Sequence, residues 1–498
     1  MLDLFAYAAF AATGLLFAYI YLNPYAKRYP NEPEIVPGAL PLIGHIHKLA
    51  VNPTAFFIEN FKRYGADQPY TILVGSAKFT FLPQSMVLEA YRNPEEAFSF
   101  AAAMNRIMSI DRIMGGPGAL DLHYIEIITK FVVPSSIREW IPKILKEINE
   151  ALDELAIDTP DAPADAKLTT TWKKLCRPLI ARISATIFYG PEIGSNKEFL
   201  KLMCDFTEES VAVSFALNAV PDALVPSFIK YCTNLSKRYR TVHDTFAPIF
   251  AARRAKMDDH GNWIGPGPRP NDLLQGFIEA RNEETGKWPL WENSEIEVMI
   301  RGSSMASVHT TSLYFTFMLH HIADDAGVYA TLERERGEGP MTAQVLETMD
   351  HFNSILRESL RYHFEEFSFG LTHRAMQDIH FSNGVVLPEG RYITARGRRI
   401  MRETMTAEGQ SGESFDPWRW SREKRVSATS AGKSFLPFGI SKHICPGRFF
   451  ATTEIQLAVG EIVRRFKVST AEGSQTRESM PFGIGVQPDE TPIVLSRK

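Results

Sequence analysis

The sequence predicts a mainly α-helical body with a small β region, preceded by one N-terminal membrane-spanning helix. Three observations predict it. Apolar residues recur at helical spacing over most of the chain beyond about residue 53, strand-like runs are few and short, and an uncharged apolar run stands at the N-terminus. No alternating strand–helix–strand series specifies a doubly wound sheet, and no repeat of solenoid or propeller period is present.

The N-terminal run is Leu4 to Leu22, LFAYAAFAATGLLFAYIYL. It is just long enough to cross a bilayer as a helix, which takes ~20 residues. A cleaved signal peptide would have a basic start and a shorter apolar region ending in a small-residue cleavage site. Here the start is acidic, at Asp3, and the basic pair Lys27 and Arg28 follows the run. The positive-inside tendency then places the bulk of the chain in the cytosol, with Tyr19, Tyr21 and Tyr25 at the interface. Residues 1–23 are read as the anchor and 24–41 as a hinge. Pro24, Pro30, Pro33, Pro37 and Pro41 preclude helix there and stiffen the backbone. Residues 42–498 form the globular body. Asn234-Leu235-Ser236 is a formal glycosylation sequon that a cytosolic body never presents to the glycosylation machinery.

Within the body, Ile137–Ala156, Phe199–Leu217 and Tyr239–Lys256 have helical periodicity. Pro142 suits a first turn, which starts the first of these helices near Ile141. Strand-like pieces are TILVG near Tyr70, FTFLP near Phe79, IHFSNGVVLPEGRYI from Ile379 and the terminal IVLSRK. Ser294–Ala323 is too long and too apolar for a surface helix. Ser294-x-x-Glu297 predicts a capping box at its start. Its middle carries a patch of tiny side chains, Gly302, Ser303, Ser304, Ala306 and Ser307, at a cost in helix propensity. Two readings stand for that patch: close packing of a crossing helix, or a notch where a flat ligand lies against the backbone. His309, Thr310 and Thr311 follow, and Thr310 has the further option of bonding back to a carbonyl one turn earlier.

His351–His363 is another helix, with Glu358 and Arg361 neighbours three residues apart; an exposed pair of that kind contributes only ~0.2–0.5 kcal/mol. In FDPWRW, Phe415–Trp420, Arg419 stands among aromatics. A buried arginine needs a carboxylate, and Glu358 is a candidate.

Composition narrows the chemistry. The chain has 498 residues, 45% hydrophobic and 22% charged, with formal net charge −4, so it lacks the basic surplus of a nucleic-acid-binding protein. Its four cysteines, Cys176, Cys204, Cys232 and Cys445, fit a reducing compartment better than a disulfide framework. Their spacing excludes a zinc knuckle, a Cys-x-x-Cys redox pair and a Cys-x-x-Cys-His attachment. A lone cysteine is by default an inert, buried thiol. The setting of Cys445, FLPFGISKHICPGRFFA over 435–451, argues otherwise. Thiolates are favoured at helix N-termini, and Pro446 suits the first position of a helix continuing through FFATTEIQLAVGEIV.

Taken in order, these features resemble the cytochrome P450 monooxygenases: anchor, proline hinge, long helix with Thr310, Glu358-x-x-Arg361, Arg419, then Phe438, His443, Cys445 and Gly447 at the family's spacings. HTTS and CPGRFFA are most similar to fungal members, including terpenoid oxidases. The resemblance implies the cytochrome P450 fold, with its long central helix over the haem and 42–498 as the haem-thiolate catalytic domain. It makes Cys445 the axial ligand of haem b (iron protoporphyrin IX), where thiolate electron density favours O–O cleavage. Phe438 would shield the sulfur, Gly447 would let the helix approach the porphyrin, and His443 and Arg374 would meet propionates. Ala306 and Thr310 would flank dioxygen, with Thr310 and His309 serving proton delivery. Glu358, Arg361 and Arg419 would form a structural network. Phe367, Phe369 and Leu371 would line an apolar pocket, with Phe100–Met108 as another wall.

Electrons would come from NADPH through NADPH-cytochrome P450 reductase, with cytochrome b5 as a second donor, meeting Lys442, Arg448 and Lys433. The implied substrate is a lipophilic small molecule, a terpenoid or related secondary metabolite, and the implied location the endoplasmic reticulum membrane. Three departures stand out. Ser441 replaces the pattern's glycine, His309 replaces the usual acid before the threonine, and no Trp-x-x-x-Arg helix is legible around LHYIEIITK, where Lys130 is the available substitute. Two other functions share these motifs: a reductase-independent haem-thiolate isomerase or dehydratase acting on a peroxide, and a membrane-tethered haem sensor. A phosphate-loop reading of SAGKS fails, because Ser427 stands where that loop needs glycine.

Overall fold

The computed structural model describes residues 13–14, 27–41, 43–75, 77–217, 220, 222–407, 409–422, 425–471, 474, 478–479 and 487–498. The anchor assignment lies outside these residues apart from Thr13 and Gly14, which are helical. Among the described residues no helix is long and apolar enough to cross a membrane.

Helices dominate the body, and a sheet closes one side of it. The sheet runs in the spatial order Glu34–Ile35, Tyr70–Val74, Ala77–Leu82, Tyr392–Ala395, His373–Ala375 and Phe98–Ser99. TILVG and FTFLP pair as an antiparallel hairpin, with Tyr70 opposite Phe81. Its far strand pairs in parallel with Tyr392–Ala395, from the third strand-like run. Aromatic rings on this sheet stack closely: Tyr64 on Tyr70 and Tyr70 on Phe81, both at 5.3 Å between centroids. Phe367 inserts edge-on between Phe79 and Phe81, at 5.1 and 5.3 Å, and is only 1% exposed. It therefore belongs to the sheet's core packing and not to a pocket wall. Leu371 is likewise buried, its carbonyl accepting from Tyr91; of the expected trio only Phe369 keeps accessible surface.

The proline-rich segment lies against this sheet. Glu34–Ile35 pairs in parallel with Tyr70–Thr71, Glu32 makes a buried ion pair with Arg391, and Arg28 and Tyr29 both reach Asp378.

Two helix starts differ from expectation. The first predicted helix spans Pro134–Asp153, with Pro134 at its first position and Pro142 inside it. Val133 enters extended, so Pro134 takes the place where a missing N–H costs nothing, and the helix tolerates the bond forfeited at Pro142. The long helix spans Asn293–Asp324, and its capping box is Glu292 with Glu295, not Ser294 with Glu297. Glu295 accepts from the Glu292 amide at 2.8 Å, whereas Glu297 is two residues further in, 2.9 Å from the His243 ring. The long helix packs against helices Cys176–Tyr189, Lys197–Leu217 and Arg448–Arg465. It also packs on a second sheet, Phe466–Thr470, Ile493–Arg497 and Lys167–Thr170 in spatial order. Phe466–Thr470 follows its helix without a break, so its short alternation is hidden in the sequence.

Candidate active site between the cysteine loop and the long helix

The cysteine loop is built by backbone geometry. The Cys445 amide donates to the Phe438 carbonyl at 2.7 Å, closing the loop. Gly439 has φ +74, and a Cβ there would collide with the His443 carbonyl oxygen. Ser441 also adopts a left-handed conformation, φ 57. For an L residue that conformation costs about 1–2 kcal/mol, so the serine holds a shape that glycine would adopt freely. The following helix is Arg448–Arg465 with Gly447 as its N-cap, so Pro446 lies before the helix and not at its first position. The consequence for Cys445 is direct: the amides of Gly447 and Arg448, unpaired within the helix, are directed at its sulfur. Burial pushes the thiol up, while those amides and the Arg448 guanidinium pull it down. Cys445 keeps accessible surface although Phe435, Leu436, Ile440 and Phe450 beside it are buried. Protein crowds the sulfur yet leaves it open, as expected for a residue lining a recess. A Cβ at Gly447 would meet only this sulfur, at 3.9 Å.

The small-residue patch on the long helix divides between its two readings. Ser303 and Ser304 are buried and bonded to the Tyr189 hydroxyl, at 2.7 and 2.9 Å, which is close packing of a crossing helix. Gly302 packs on Ala119. Ala306 and Thr310, one turn apart, are instead exposed within a stretch where Val308, Thr311 and Ser312 are buried. The Thr310 hydroxyl donates to the Ala306 carbonyl at 2.9 Å, leaving its lone pairs free to accept. His309 lies off this face, beside Arg177 and Glu208. Burial, then the Arg177 charge, lowers its pKa to about 4, and its Nδ1 has no partner.

Glu358 is the hub of the arginine network. Arg361 donates to it twice, at 2.9 and 2.7 Å. Arg419 Nε lies 3.1 and 3.2 Å from its two oxygens, and the Asp416 amide and Trp420 indole N–H each donate at 3.0 Å. Arg361 continues to the Gly412 and Ser414 carbonyls, and Arg419 to Gln410. Arg357, next in sequence to Glu358, donates to the Ser427 and Ser430 carbonyls at 2.7 and 2.8 Å and lies 3.5 Å over the Phe435 ring. It ties the helix Asp350–Tyr362 to the start of the cysteine loop. Sequence reasoning missed Arg357 and Trp420. Trp420 carried a signal as an aromatic beside Arg419, whereas nothing marked Arg357.

Arg374 lies on the strand His373–Ala375, and its Nε has no partner; nor does Nε2 of the buried His373. His443 has one ring nitrogen engaged by the protein. Its Nε2 lies 3.2 Å from the Asn93 carbonyl and its Nδ1 3.8 Å from Glu95. Lys130 is exposed and paired with Glu126 at 2.6 Å, so it is no substitute propionate contact. Lys433 and Lys442 are exposed, while Arg448 turns back to the Cys445 carbonyl at 2.9 Å. Among the described residues no cluster of three or more histidine, cysteine or acidic side chains is placed to hold a bare metal ion. One open thiol under two amides fits a metal already held by four porphyrin nitrogens, and the unpartnered Arg374 Nε fits a haem carboxylate.

The comparisons with known proteins agree with this arrangement. A sequence model of the family described as Cytochrome P450 matches residues 35–495. A Cytochrome P450 monooxygenase 151 from Postia placenta is 25% identical over 427 residues, covering 81% of each chain. A Cytochrome P450 monooxygenase CYP512U6 from Ganoderma lucidum is 21% identical over 475 residues, 92% of this chain and 89% of the relative. Among solved structures, retinoic acid-bound cyanobacterial CYP120A1 superposes with a TM-score of 0.70 over 94% of this chain and 99% of its own, at 16% identity.

Proposed function

The chain belongs to the cytochrome P450 family and is a haem-dependent monooxygenase of it, and from that premise we propose that it oxidises a lipophilic small molecule, a terpenoid or related secondary metabolite, at the recess between Cys445 and the Ala306–Thr310 face. The observation that carries the proposal is the pairing of an open, amide-directed thiol with the one exposed turn in the buried middle of the long helix. Haem, when bound, supplies dioxygen binding and its reductive activation.

The protein's own residues then have distinct tasks. Cys445 is the ligand; burial raises its thiol, and the Gly447 and Arg448 amides offset part of that rise in favour of the thiolate that a metal takes. Phe438 fixes the loop through its carbonyl, and Arg374 takes a haem carboxylate. His443 acts by positioning, through Asn93 and Glu95. Ala306 leaves room on the open face, and Thr310, anchored on the Ala306 carbonyl, accepts and passes on a proton there. His309, neutral at physiological pH, serves proton delivery only by tuning its own turn of helix. Electrons arrive from NADPH through a redox partner. NADPH-cytochrome P450 reductase, with cytochrome b5 as second donor, is the partner we assign, and exposed Lys433 and Lys442 suit its acidic surface.

Replacing Thr310 by alanine should leave haem binding intact and lower coupling of NADPH use to product by about 10-fold or more, the lost electrons appearing as hydrogen peroxide. Unchanged coupling would remove Thr310 from the mechanism. Residues 1–23 are proposed to anchor the chain in the endoplasmic reticulum membrane with the body cytosolic, supported by the uncharged run and the basic pair behind it. Deleting 1–23 should move the chain from the membrane to the soluble fraction, with Asn234 unglycosylated in both forms. Glycosylated Asn234 would reverse the topology.

A further inference from the structure

Beyond Thr310 the long helix closes up, and Tyr314 is the exception. Every other residue of 311–320 is buried. Tyr314 stands one turn past Thr310, as Thr310 stands one turn past Ala306, so the three share a side of the helix. Helical side chains lean toward the N-terminus, which carries the Tyr314 ring back toward the Thr310 turn. In the other direction the recess has an end wall. Phe317, its ring 6.2 Å from that of Tyr314, is 3% exposed and stacks flat on His363 at 3.8 Å between centroids. His363 is held from both sides: His321 Nε2 lies 2.8 Å from its Nε2, and the Glu478 carboxylate lies 2.7 Å from its Nδ1. Tyr314 is therefore at the closed end of the open face. Its hydroxyl keeps accessible surface and makes no hydrogen bond among the described residues, the Thr310 hydroxyl being turned to the Ala306 carbonyl.

A tyrosine deep in a protein ordinarily gives its O–H a partner, and a phenylalanine would supply the same ring with no donor left over. We propose that Tyr314 is a specificity-determining residue whose O–H donates to a neutral oxygen of the substrate, a carbonyl or a hydroxyl, at the closed end of the recess. Another part of the same molecule then lies over Ala306 and Thr310. This narrows the substrate from lipophiles in general to lipophiles that already carry oxygen before this enzyme acts. A pure hydrocarbon would strip the donor of water and leave it unpaired. A carboxylate is disfavoured for a different reason. Glu365 makes no ion pair among the described residues. Its charge, after burial, is what holds the Tyr314 hydroxyl well above its ordinary value. The phenol thus stays a neutral donor, and a second anion beside it would be repelled. The inference rests on the reading that the Ala306–Thr310 face meets substrate.

The test uses the full-length, haem-loaded protein and probes of one terpenoid skeleton: farnesene, farnesol, farnesal and farnesoate. Binding is read without turnover, as the change in haem absorption when a probe displaces water from the recess. Farnesol and farnesal should bind the parent about 5-fold more tightly than farnesene, the factor a single neutral hydrogen bond is worth. Tyr314→Phe keeps the ring and should erase that preference, weakening both oxygenated probes by about 5-fold and leaving farnesene as tight or tighter. The infrared C=O stretch of bound farnesal should lie lower in the parent than in Y314F, because a hydrogen-bonded carbonyl is softened. Three results would overturn the proposal: equal weakening of farnesene and the oxygenated probes, which marks a packing role; a C=O stretch unmoved in Y314F; or farnesoate as the probe that Y314F affects most. An absorption change identical in parent and Y314F strikes Tyr314 alone. No change with any probe strikes the reading of the recess itself, and the proposal falls with it.

Discussion

Cys445→Ala abolishes the long-wavelength carbon monoxide spectrum of a thiolate-ligated haem and takes monooxygenase activity to background: this is the largest effect expected of any single substitution in the chain. The reason is that nothing stands in reserve. Among the described residues no other group of ligating side chains is placed to hold the metal. The other cysteines are set in different surroundings. Cys176 is buried, and that burial pushes its thiol up to about 12; Cys204 is raised in the same way to about 11; Cys232 is exposed on the helix Val225–Cys232. Cys445 receives the amides of Gly447 and Arg448 and keeps accessible surface, whereas Cys176, although it too begins a helix, is fully buried. Alanine substitution of Cys176, Cys204 or Cys232 should therefore leave the spectrum unchanged. An unaltered spectrum in Cys445→Ala would sink the site assignment, whatever happened to stability.

Glu358→Ala should be the most destabilising change outside the cysteine loop, costing about 3–5 kcal/mol, the cost of breaking a buried ion pair from one side. Glu358 is 0% exposed and Arg361 1%, and the glutamate holds both Arg361 and Arg419 while also accepting from Trp420 and Asp416. Its loss leaves two guanidinium groups buried with carbonyls only. That amount is a large part of the ~5–15 kcal/mol that separates folded from unfolded domains. The expected readout is a chain that accumulates poorly and binds haem substoichiometrically, because the same helix tethers the cysteine loop through Arg357. Arg422→Ala is the control. Its pair with Asp416 is exposed on the arginine side, and pairs of that kind are worth ~0–1 kcal/mol. A Glu358→Ala protein within 1 kcal/mol of the parent in denaturant unfolding, ~1 being the most an exposed pair contributes, would show that the network is ornamental.

The legibility of this site varied residue by residue, for physical reasons. Arg419 could be matched to Glu358 across the sequence because a buried guanidinium among aromatics admits few partners. Trp420, bonded to the same carboxylate, needed the orientation of a side chain that no spacing specifies. Phe367 and Leu371 were expected in a pocket wall from their order after the Glu358 helix, but packing against Phe79, Phe81 and Tyr91 takes them into the core. Lys130 follows the same logic: one helical turn from Glu126, it finds its partner locally and stays at the surface. Helix starts moved, by about two turns at Pro134 and by one or two residues at Glu292 and Gly447, because several residues in each region can begin a helix and only three-dimensional packing selects one.

What the sequence determined by itself was the chemistry carried by contiguous or regularly spaced residues. One lone cysteine stands before a helix, a hydroxyl and a small residue stand one turn apart on a long apolar helix, and an acid and an arginine stand three residues apart on another. Covalent spacing enforces these relations wherever the chain goes. Tertiary structure alone decided which face of each helix remains open. Tyr189 fills the Ser303–Ser304 side and leaves Ala306 and Thr310 accessible. Those contacts join residues more than a hundred positions apart, and whether a face is filled depends on the volume of side chains arriving from elsewhere, which no local pattern encodes.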